Sequence, residues 1–376
     1  MIFNRGKSQP INYLQLLVIV AAITVLILQI PTLIIDPYRV FGLTDFNKKN
    51  FDPNTRYLKI EYLLKHHQAD AFILGSSRVN FYDVKLASLL SQHNYYNMTA
   101  FNDYLLSIRK KLEWLISTRK INQIILGMDY DHQAIDETKD TDLLRQEHPL
   151  ISQEPRIEFY YKYTAFQPET LILCIQSNLE KEVKNIFDIT TGQSKLLQKD
   201  QLKLQDPTGY IARNFKPASK VESKAKLIKE EPKKLISIQE LQKIVNITNS
   251  NNIPTMIVVN PLNHHRFITF DIDSYATWIT RMVDVAGQIW DFSGINSITK
   301  NDQYYYEDTH FTKQAGDLVL DKIFNNQKAA KDIPEDFGIL VTKENLNAHI
   351  EHLKSSYKDY KNYYQTHYHT KLVPED

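Results

Sequence analysis

The longest unbroken apolar stretch covers residues 11–35. Arg5 and Lys7 precede it, and no charged residue follows until Asp36. Its centre, residues 16–28, is almost wholly Leu, Ile, Val and Ala. About 20 such residues cross a bilayer as a helix. Apolarity around the whole circumference argues against a helix with one face in water. Basic residues ahead of it predict a cytoplasmic N-terminus, with a tail over residues 1–10 and the remainder of the chain outside. The run is long for a cleaved signal, and no A-x-A-like site follows it. An uncleaved, single-pass anchor in the cell (inner) membrane is therefore expected, with the main domain periplasmic or extracellular. Gln29 and Pro31 near its outer end suit an interface.

Beyond the anchor, residues 36–55 carry Pro37, Gly42 and Pro53 among polar neighbours and read as a linker. Residues 56–67 read as a short helix with Leu58, Tyr62 and Leu63 on one face. From residue 71 onward, strands and helices alternate. Residues 71–75 are a first strand. Residues 82–92 carry Val84, Leu86, Leu89 and Leu90 at helical spacing, and residues 94–98 (NYYNM) form a short strand. Residues 103–119 place Leu105, Ile108, Leu112, Leu115 and Ile116 on one helical face, and residues 121–127 are another apolar strand. This alternation predicts an α/β domain over residues 56–330, with a parallel sheet flanked by helices.

Residues 129–234 interrupt the pattern. They are polar, with scattered aromatics, a helix candidate within 166–187, and lysine-rich stretches at 195–203 and 220–234. We read them as an insertion or cap over the sheet, with a flexible, solvated basic segment near 219–234. Alternation then resumes. A helix is expected at 237–249, a strand at 254–260 and a helix at 273–287 with Tyr275, Trp278, Ile279, Met282 and Val283 inward. A last short strand follows at 288–292, and a helix capped by Thr312 runs to Phe324. Residues 331–376 form a C-terminal helical arm. Within it, Leu346, Ile350, Leu353, Tyr357, Tyr360 and Tyr364 make a heptad seam. That seam is able to join another copy into an oligomer or to dock on its own domain.

The 376 residues suffice for one large domain or two smaller ones with a full core. A formal net charge of +1 gives no global field favouring nucleic acid, so no nucleic-acid partner is expected. Cys174 is the single cysteine, which rules out an intramolecular disulfide and any Cys-based zinc framework. The run Asp129-Tyr130-Asp131-His132 has only a generic ligand spacing. His264 and His265 follow a strand end, yet adjacent side chains seldom converge on one ligand. His367 and His369 read as solvated. No metal and no cofactor are expected.

Two stretches carry candidate chemistry. Residues 71–78 (AFILGSSR) run from an apolar strand straight into Gly75, Ser76 and Ser77. A serine at the carboxyl end of a parallel strand faces the crevice where open α/β sheets bind ligands. Residues 304–311 (YYYEDTHF) place His310 just before a helix, with Glu307 and Asp308 three and two residues ahead. A histidine oriented by a carboxylate can take the proton of an attacking serine. The GxSxG elbow of α/β-hydrolases is absent.

Together these stretches resemble the SGNH (GDSL-like) hydrolase superfamily, whose nucleophile closes a Gly-x-Ser turn after the first strand. The likeness covers the anchor and roughly residues 71–127 and 254–324. It implies a three-layer α/β fold, Ser77 as nucleophile, His310 as base, and Glu307 or Asp308 as the acid. It also implies an oxyanion hole, and here the matching residues depart from the family. Residues 97–100 (NMTA) lack the usual glycine, leaving Asn97, the Thr99 region or the Ala100 amide. Asp129 stands where an asparagine is expected, and an ionised carboxylate cannot donate. Arg78, Asn80 or the Ser77 amide would have to rebuild the hole.

The similarity is greatest to membrane-anchored, extracytoplasmic members, including proteins of alginate O-acetylation and of lipoteichoic acid D-alanylation. That likeness implies acyl transfer to a cell-envelope or exported polysaccharide, with a multi-pass membrane O-acyltransferase as partner. A carbohydrate esterase or lipase would use the same residues. A catalytically inactive envelope scaffold is the reading from another class.

Overall fold

A computed structural model describes residues 12–43, 49–131, 142–325 and 333–374. The predicted tail at 1–10 and His132 fall outside these residues. The first helix, α1 (Tyr13–Ile35), opens with reciprocal bonds: Asn12 Oδ1 accepts from the Gln15 N–H at 2.8 Å, and Gln15 Oε1 accepts from the Asn12 N–H at 3.0 Å. Among the described residues, it is the one helix long and apolar enough to cross a membrane. Its side chains are exposed along almost the whole length.

The next elements are α2 (Thr55–Lys65), β1 (Ala71–Leu74), a 3-10 turn (Ser77–Phe81), α3 (Val84–Ser91), β2 (Tyr95–Asn97), α4 (Leu105–Thr118) and β3 (Gln123–Met128). The predicted insertion holds short helices α5 (Pro149–Ser152), α6 (Arg156–Thr164) and α7 (Pro168–Leu179). A hairpin of β4 (Ile186–Asp188) and β5 (Gln193–Lys195) follows, then α8 (Leu197–Gln205), α9 (Pro207–Asn214) and β6 (Lys220–Val221). The chain returns to the sheet through α10 (Lys224–Ser250), β7 (Thr255–Val259), α11 (His264–Phe267), α12 (Ile272–Ala286) and β8 (Gln288–Asp291). It ends with α13 (Lys313–Phe324), β9 (Ile339–Thr342), α14 (Leu346–His367) and β10 (Val373–Pro374).

The central sheet has the order β2-β1-β3-β7-β8-β9. All neighbours are parallel except β9, which runs antiparallel to β8. Successive side chains of a strand face opposite sides, so each strand feeds two cores. Phe72, Leu74, Ile124 and Leu126 meet α2, α4, α10 and α12 on one side. Ala71, Ile73, Ile125 and Val258 meet the 3-10 turn, α3 and α13 on the other. The first two strands step outward, β1 to β2, and the chain then crosses back to β3. The order therefore reverses beside β1, and such a reversal opens a crevice at the carboxyl ends of the strands.

Three expectations need correction, and the open choice for the C-terminal seam falls to one of its two alternatives. The basic segment near 219–234 is not a flexible loop, because α10 begins at Lys224 and runs for 27 residues. Ser223 caps it by accepting from the Lys226 N–H at 3.2 Å, and the buried Lys234 ammonium lies 3.9 Å from the Tyr130 ring centroid. Lysines without an apolar stripe hid that helix. The strand at β8 is not the last, since residues after Gly338 add β9 to the edge. The heptad seam of α14 is spent on its own domain: Leu346, Leu353, Tyr357 and Tyr364 are buried. Tyr357 also donates to the carbonyls of Ile268 and Phe270, at 2.9 and 2.8 Å. Finally, the start of the linker is folded onto the end of α1. The Asp36 carboxylate accepts from the N–H groups of Val40, Phe41 and Gly42 at 2.9, 3.0 and 2.9 Å.

Candidate active site

The strand β1 ends in a tight 3-10 turn. Gly75 sits at φ +149°, where a Cβ would lie 2.9 Å from Val79 Cγ1 and 3.0 Å from the Gly127 carbonyl. A Cβ on Gly127 would come within 2.1 Å of Val79 Cγ1. Two glycines at adjacent strand ends thus let Val79 seat between them and pull the turn down onto the sheet. Ser76 caps the turn, its Oγ accepting from the Arg78 N–H at 3.3 Å and donating to Asp129. Ser77, the first residue of the turn, projects into the crevice.

Ser77 Oγ lies 2.9 Å from His310 Nε2. His310 comes from a narrow loop closed by the Tyr305–Phe311 bridge, with the Tyr306 N–H donating to the His310 carbonyl at 2.8 Å. On its other side, His310 Nδ1 hydrogen-bonds to Glu307 Oε1. Thr309 Oγ1 donates to the same oxygen at 2.8 Å, and Lys199 of α8 reaches Glu307 Oε2 at 3.3 Å. Burial opposes ionisation of Glu307. The bond and charge of His310, with help from Thr309 and Lys199, outweigh it and bring the carboxyl down to about 2. Burial instead raises Asp308. The choice between the two carboxylates thus resolves geometrically: Glu307 faces the imidazole, and no hydrogen bond joins Asp308 to it among the described residues.

The side chains considered for the oxyanion hole are engaged elsewhere. Arg78 donates through Nε to the Thr309 carbonyl at 2.8 Å, and its Nη atoms hold Asp131 at 2.7 and 3.0 Å. Asp129 Oδ1 stands 2.9 Å from Arg78 Nη1. Burial works against the Arg78 charge, but the two carboxylates more than restore it. Asn80 clasps β5, donating to the Ser194 carbonyl at 2.7 Å and accepting its N–H at 2.8 Å. Asn97 donates to the Val79 carbonyl at 2.8 Å and accepts the Thr99 N–H at 2.9 Å. Thr99 Oγ1 donates to the Gly75 carbonyl at 3.2 Å and to that of Ser76. Asp129 is surrounded by donors, including Asn260 Nδ2 at 2.8 Å. These residues build the turn and brace the His310 loop. What remains for a developing oxyanion is main chain. The Ser77 N–H opens its turn, where no earlier carbonyl of that turn can bond it.

Sequence reasoning passed over Asn260, Thr309 and Lys199. Asn260 ends the apolar run of β7 at the carboxyl edge of the sheet, a position that marks crevice residues in this architecture. Lys199 had no signal, since only the docking of α8 over the His310 loop brings it to Glu307. Lys203 of the same helix donates to the Tyr305 carbonyl, and Tyr306 donates to Asp200.

Asp129 and Asp131 hold Arg78, so their spacing serves an arginine. Elsewhere, His264 and His265 do converge, contrary to expectation. Their Nε2 atoms approach Asp302 at 3.3 and 3.6 Å, and their Nδ1 atoms meet the hydroxyls of Tyr360 and Tyr364 of α14 at 3.0 and 2.6 Å. Ligand atoms of the three residues lie within 4.8 Å of one another, a donor set of the type that takes zinc. The same contacts make a satisfied hydrogen-bond network that pins α14 to the domain.

No family model matches the chain, and no curated protein matches it. The chemistry is therefore argued from the geometry. A hydroxyl, an imidazole and an ionised carboxylate stand in line at a sheet crevice, an order suited to nucleophilic attack by serine.

Proposed function

We propose that the chain is a membrane-anchored, extracytoplasmic SGNH-like acyltransferase that O-acetylates a cell-envelope or exported polysaccharide. The single observation that carries this reading is the line Ser77–His310–Glu307 at the point where the strand order reverses. Ser77 Oγ attacks the acyl carbonyl of a donor, and its proton passes to His310 Nε2. The donor's leaving group departs with that proton, and an acyl ester remains on Ser77. A sugar hydroxyl then attacks the ester while His310 takes its proton. The Ser77–acyl bond breaks, and Ser77 recovers a proton from His310. Glu307 stays ionised throughout and holds the imidazole. A multi-pass membrane O-acyltransferase would supply acyl groups across the bilayer, and anchoring both proteins in one membrane raises their effective concentration.

A second reading has its own observation. Arg78, Asn80, Asn97 and Asp129 are all committed to structure, and losing one oxyanion donor typically costs about 10²–10³ in rate. An inactive scaffold that binds glycan through the crevice fits that arrangement. Intact mass of the full chain in detergent, after incubation with an activated acetyl ester, separates the two. An acetyl adduct on the parent, absent from Ser77→Ala, supports the enzyme. Adding glycan then distinguishes transfer from hydrolysis by water. A parent with neither adduct nor ester turnover refutes the enzymatic reading.

A further inference from the structure

The insertion exposes several large apolar side chains on helices that pack against the anchor. Ile157 and Tyr161, one turn apart on α6, are 83% and 72% exposed. Phe166 in the connection and Ile172 and Leu173 on α7 are exposed as well, and Leu179 is 76% exposed. The opposite faces of both helices are well packed, with Phe159, Tyr163, Leu171 and Cys174 buried. The pair is therefore firmly seated, and its outer face is apolar by sequence rather than by loose packing. Large apolar side chains left exposed together in one segment mark an interaction site.

The fold says what covers it. Both helices pack against α1. The contact falls on the last turns of α1, where Thr32 is buried and Gln29, Leu33 and Ile35 are half-buried while most earlier positions are exposed. The chain leaving α1 ties into the same helices. Tyr38 donates to Gln167 Oε1 at 3.2 Å, its ring meets that of Tyr163 edge-on at 5.5 Å, and Asn50 Nδ2 donates to the Ser177 carbonyl at 3.1 Å. At about 1.5 Å per residue, the 23 residues of α1 span about 34 Å. The hydrocarbon core is about 30 Å thick. If α1 crosses the bilayer, its last turns reach the headgroup boundary, and α6 and α7 are held at that depth.

We propose that α6 and α7 form a membrane-seated platform, with Ile157, Tyr161, Phe166, Ile172 and Leu173 inserted at the headgroup–acyl boundary of the leaflet at the Ile35 end of α1. The occupant of this surface is lipid, and an aromatic residue such as Tyr161 is at home at that level. The platform and the Asp36 cap together fix the tilt of the domain on the membrane. This inference rests on α1 spanning the bilayer and is independent of the chemistry at Ser77.

Single cysteines test it in the full chain reconstituted into phosphatidylcholine/phosphatidylglycerol vesicles. Burial pushes the Cys174 thiol up to about 11, so it stays protonated near neutral pH and unreactive beside an exposed cysteine. Leu173→Cys and Tyr161→Cys carry an environment-sensitive dye. Val20→Cys, in the middle of α1, reports the anchor itself. Leu89→Cys, on the exposed side of α3, reports a surface of the helix that packs on α13 and β2. The expected result is a blue-shifted emission at 161 and 173, with several-fold stronger quenching by lipid-borne nitroxide than at 89. Labels at 161 and 173 that behave like the label at 89, while the label at 20 is quenched, overturn the platform and leave the anchor standing. Loss of quenching at 20 overturns the anchor and the platform together. Labels at 161 and 173 screened from both lipid nitroxide and aqueous iodide show a protein cover, and that result also overturns the proposal.

Discussion

Replacing Glu307 by glutamine preserves the shape of the side chain and removes its charge. In the folded protein, the carboxyl falls from 4.5 to about 2 despite burial, with His310 the largest favourable partner. At about 1.4 kcal/mol per tenfold, that shift corresponds to about 3 kcal/mol of preference for the ionised form. In a triad of this order the carboxylate holds the imidazole and stabilises the imidazolium that forms as the serine loses its proton. Glutamine adds a second loss. Its amide can donate to His310 Nδ1, which moves the ring proton to Nε2 and leaves nothing to accept the Ser77 proton. In a serine–histidine–acid triad, the wrong tautomer costs up to about 10⁴.

The expected fall in Ser77 reactivity therefore lies between about 10²-fold and about 10⁴-fold. The assay is the rate of covalent labelling of the full chain by a fluorophosphonate at pH 7, read by intact mass, so no natural substrate is needed. Asp308→Asn is the internal comparison, since the Asp308 carboxyl makes no hydrogen bond to His310 among the described residues. Its labelling rate should stay at the parental value. Thermal melts of both variants establish that the fold persists. Parental labelling by Glu307→Gln would refute the reasoning. So would an Asp308→Asn variant that loses as much.

Two further predictions concern the frame around the triad. Gly127→Ala drives a Cβ to 2.1 Å from Val79 Cγ1 on a strand paired on both sides, so Val79 must give way. Overpacking of this kind costs about 1–3 kcal/mol; Tm should fall by several degrees and recover in part in the Gly127→Ala/Val79→Ala double variant. Glu307 and Asp131 both have folded pKa values below their ordinary ones, 4.5 and 3.8, as their partners overcome burial. The unfolded chain then takes up protons first, so their contribution is complete above those values and is lost as pH falls toward 2. Urea midpoints should decline more steeply below pH 3.8 in the parent than in Asp131→Asn, which keeps the Glu307 contribution and lacks that of Asp131.

How much of this could be read from the chain depends on what each signal measures. Apolar runs report burial, and they located β1, β3, β7 and β8 because buried parallel strands are continuously apolar. Amphipathic spacing located α4 and α12 for the same reason. The start of α10 escaped because Ser223 capping and one buried lysine hold it, and neither leaves a periodic stripe. The α14 seam was legible as a seam, but a heptad does not name the surface it meets. Tyr357, Tyr360 and Tyr364 found hydroxyl partners on α11 and the loop after it, and those partners settle the choice. At the site, residue types and spacing picked out the Ser76–Ser77 pair and His310 and narrowed the acid to two adjacent residues, while the resemblance to SGNH hydrolases singled out Ser77. The final choice turned on loop direction, which the Tyr305–Phe311 bridge sets.

The oxyanion residues expose the limit of reading chemistry from residue type. Arg78, Asn80, Asn97 and Thr99 are all donors, and each lies within a few residues of the strand-end crevice. A donor is available only after its nearer neighbours are satisfied, and buried polar groups are nearly always satisfied. The turn at 75–81 is short and buried, so it must recruit side chains to cover its own carbonyls. Thr99 covers Gly75 and Ser76, and Asn97 covers Val79. Asn80 secures the hairpin of β4 and β5, while Asp129 and Asp131 need Arg78 to offset their burial. The same residues that make the crevice sharp enough to present Ser77 are thereby withdrawn from its chemistry. A transition state formed here would lean on main-chain N–H groups, which are fixed in place by the turn and need no reorganisation as charge develops. That is why the frame variants matter to function as much as the triad variants. Gly127→Ala touches no reacting atom, yet it would lift the Ser77 amide together with its hydroxyl.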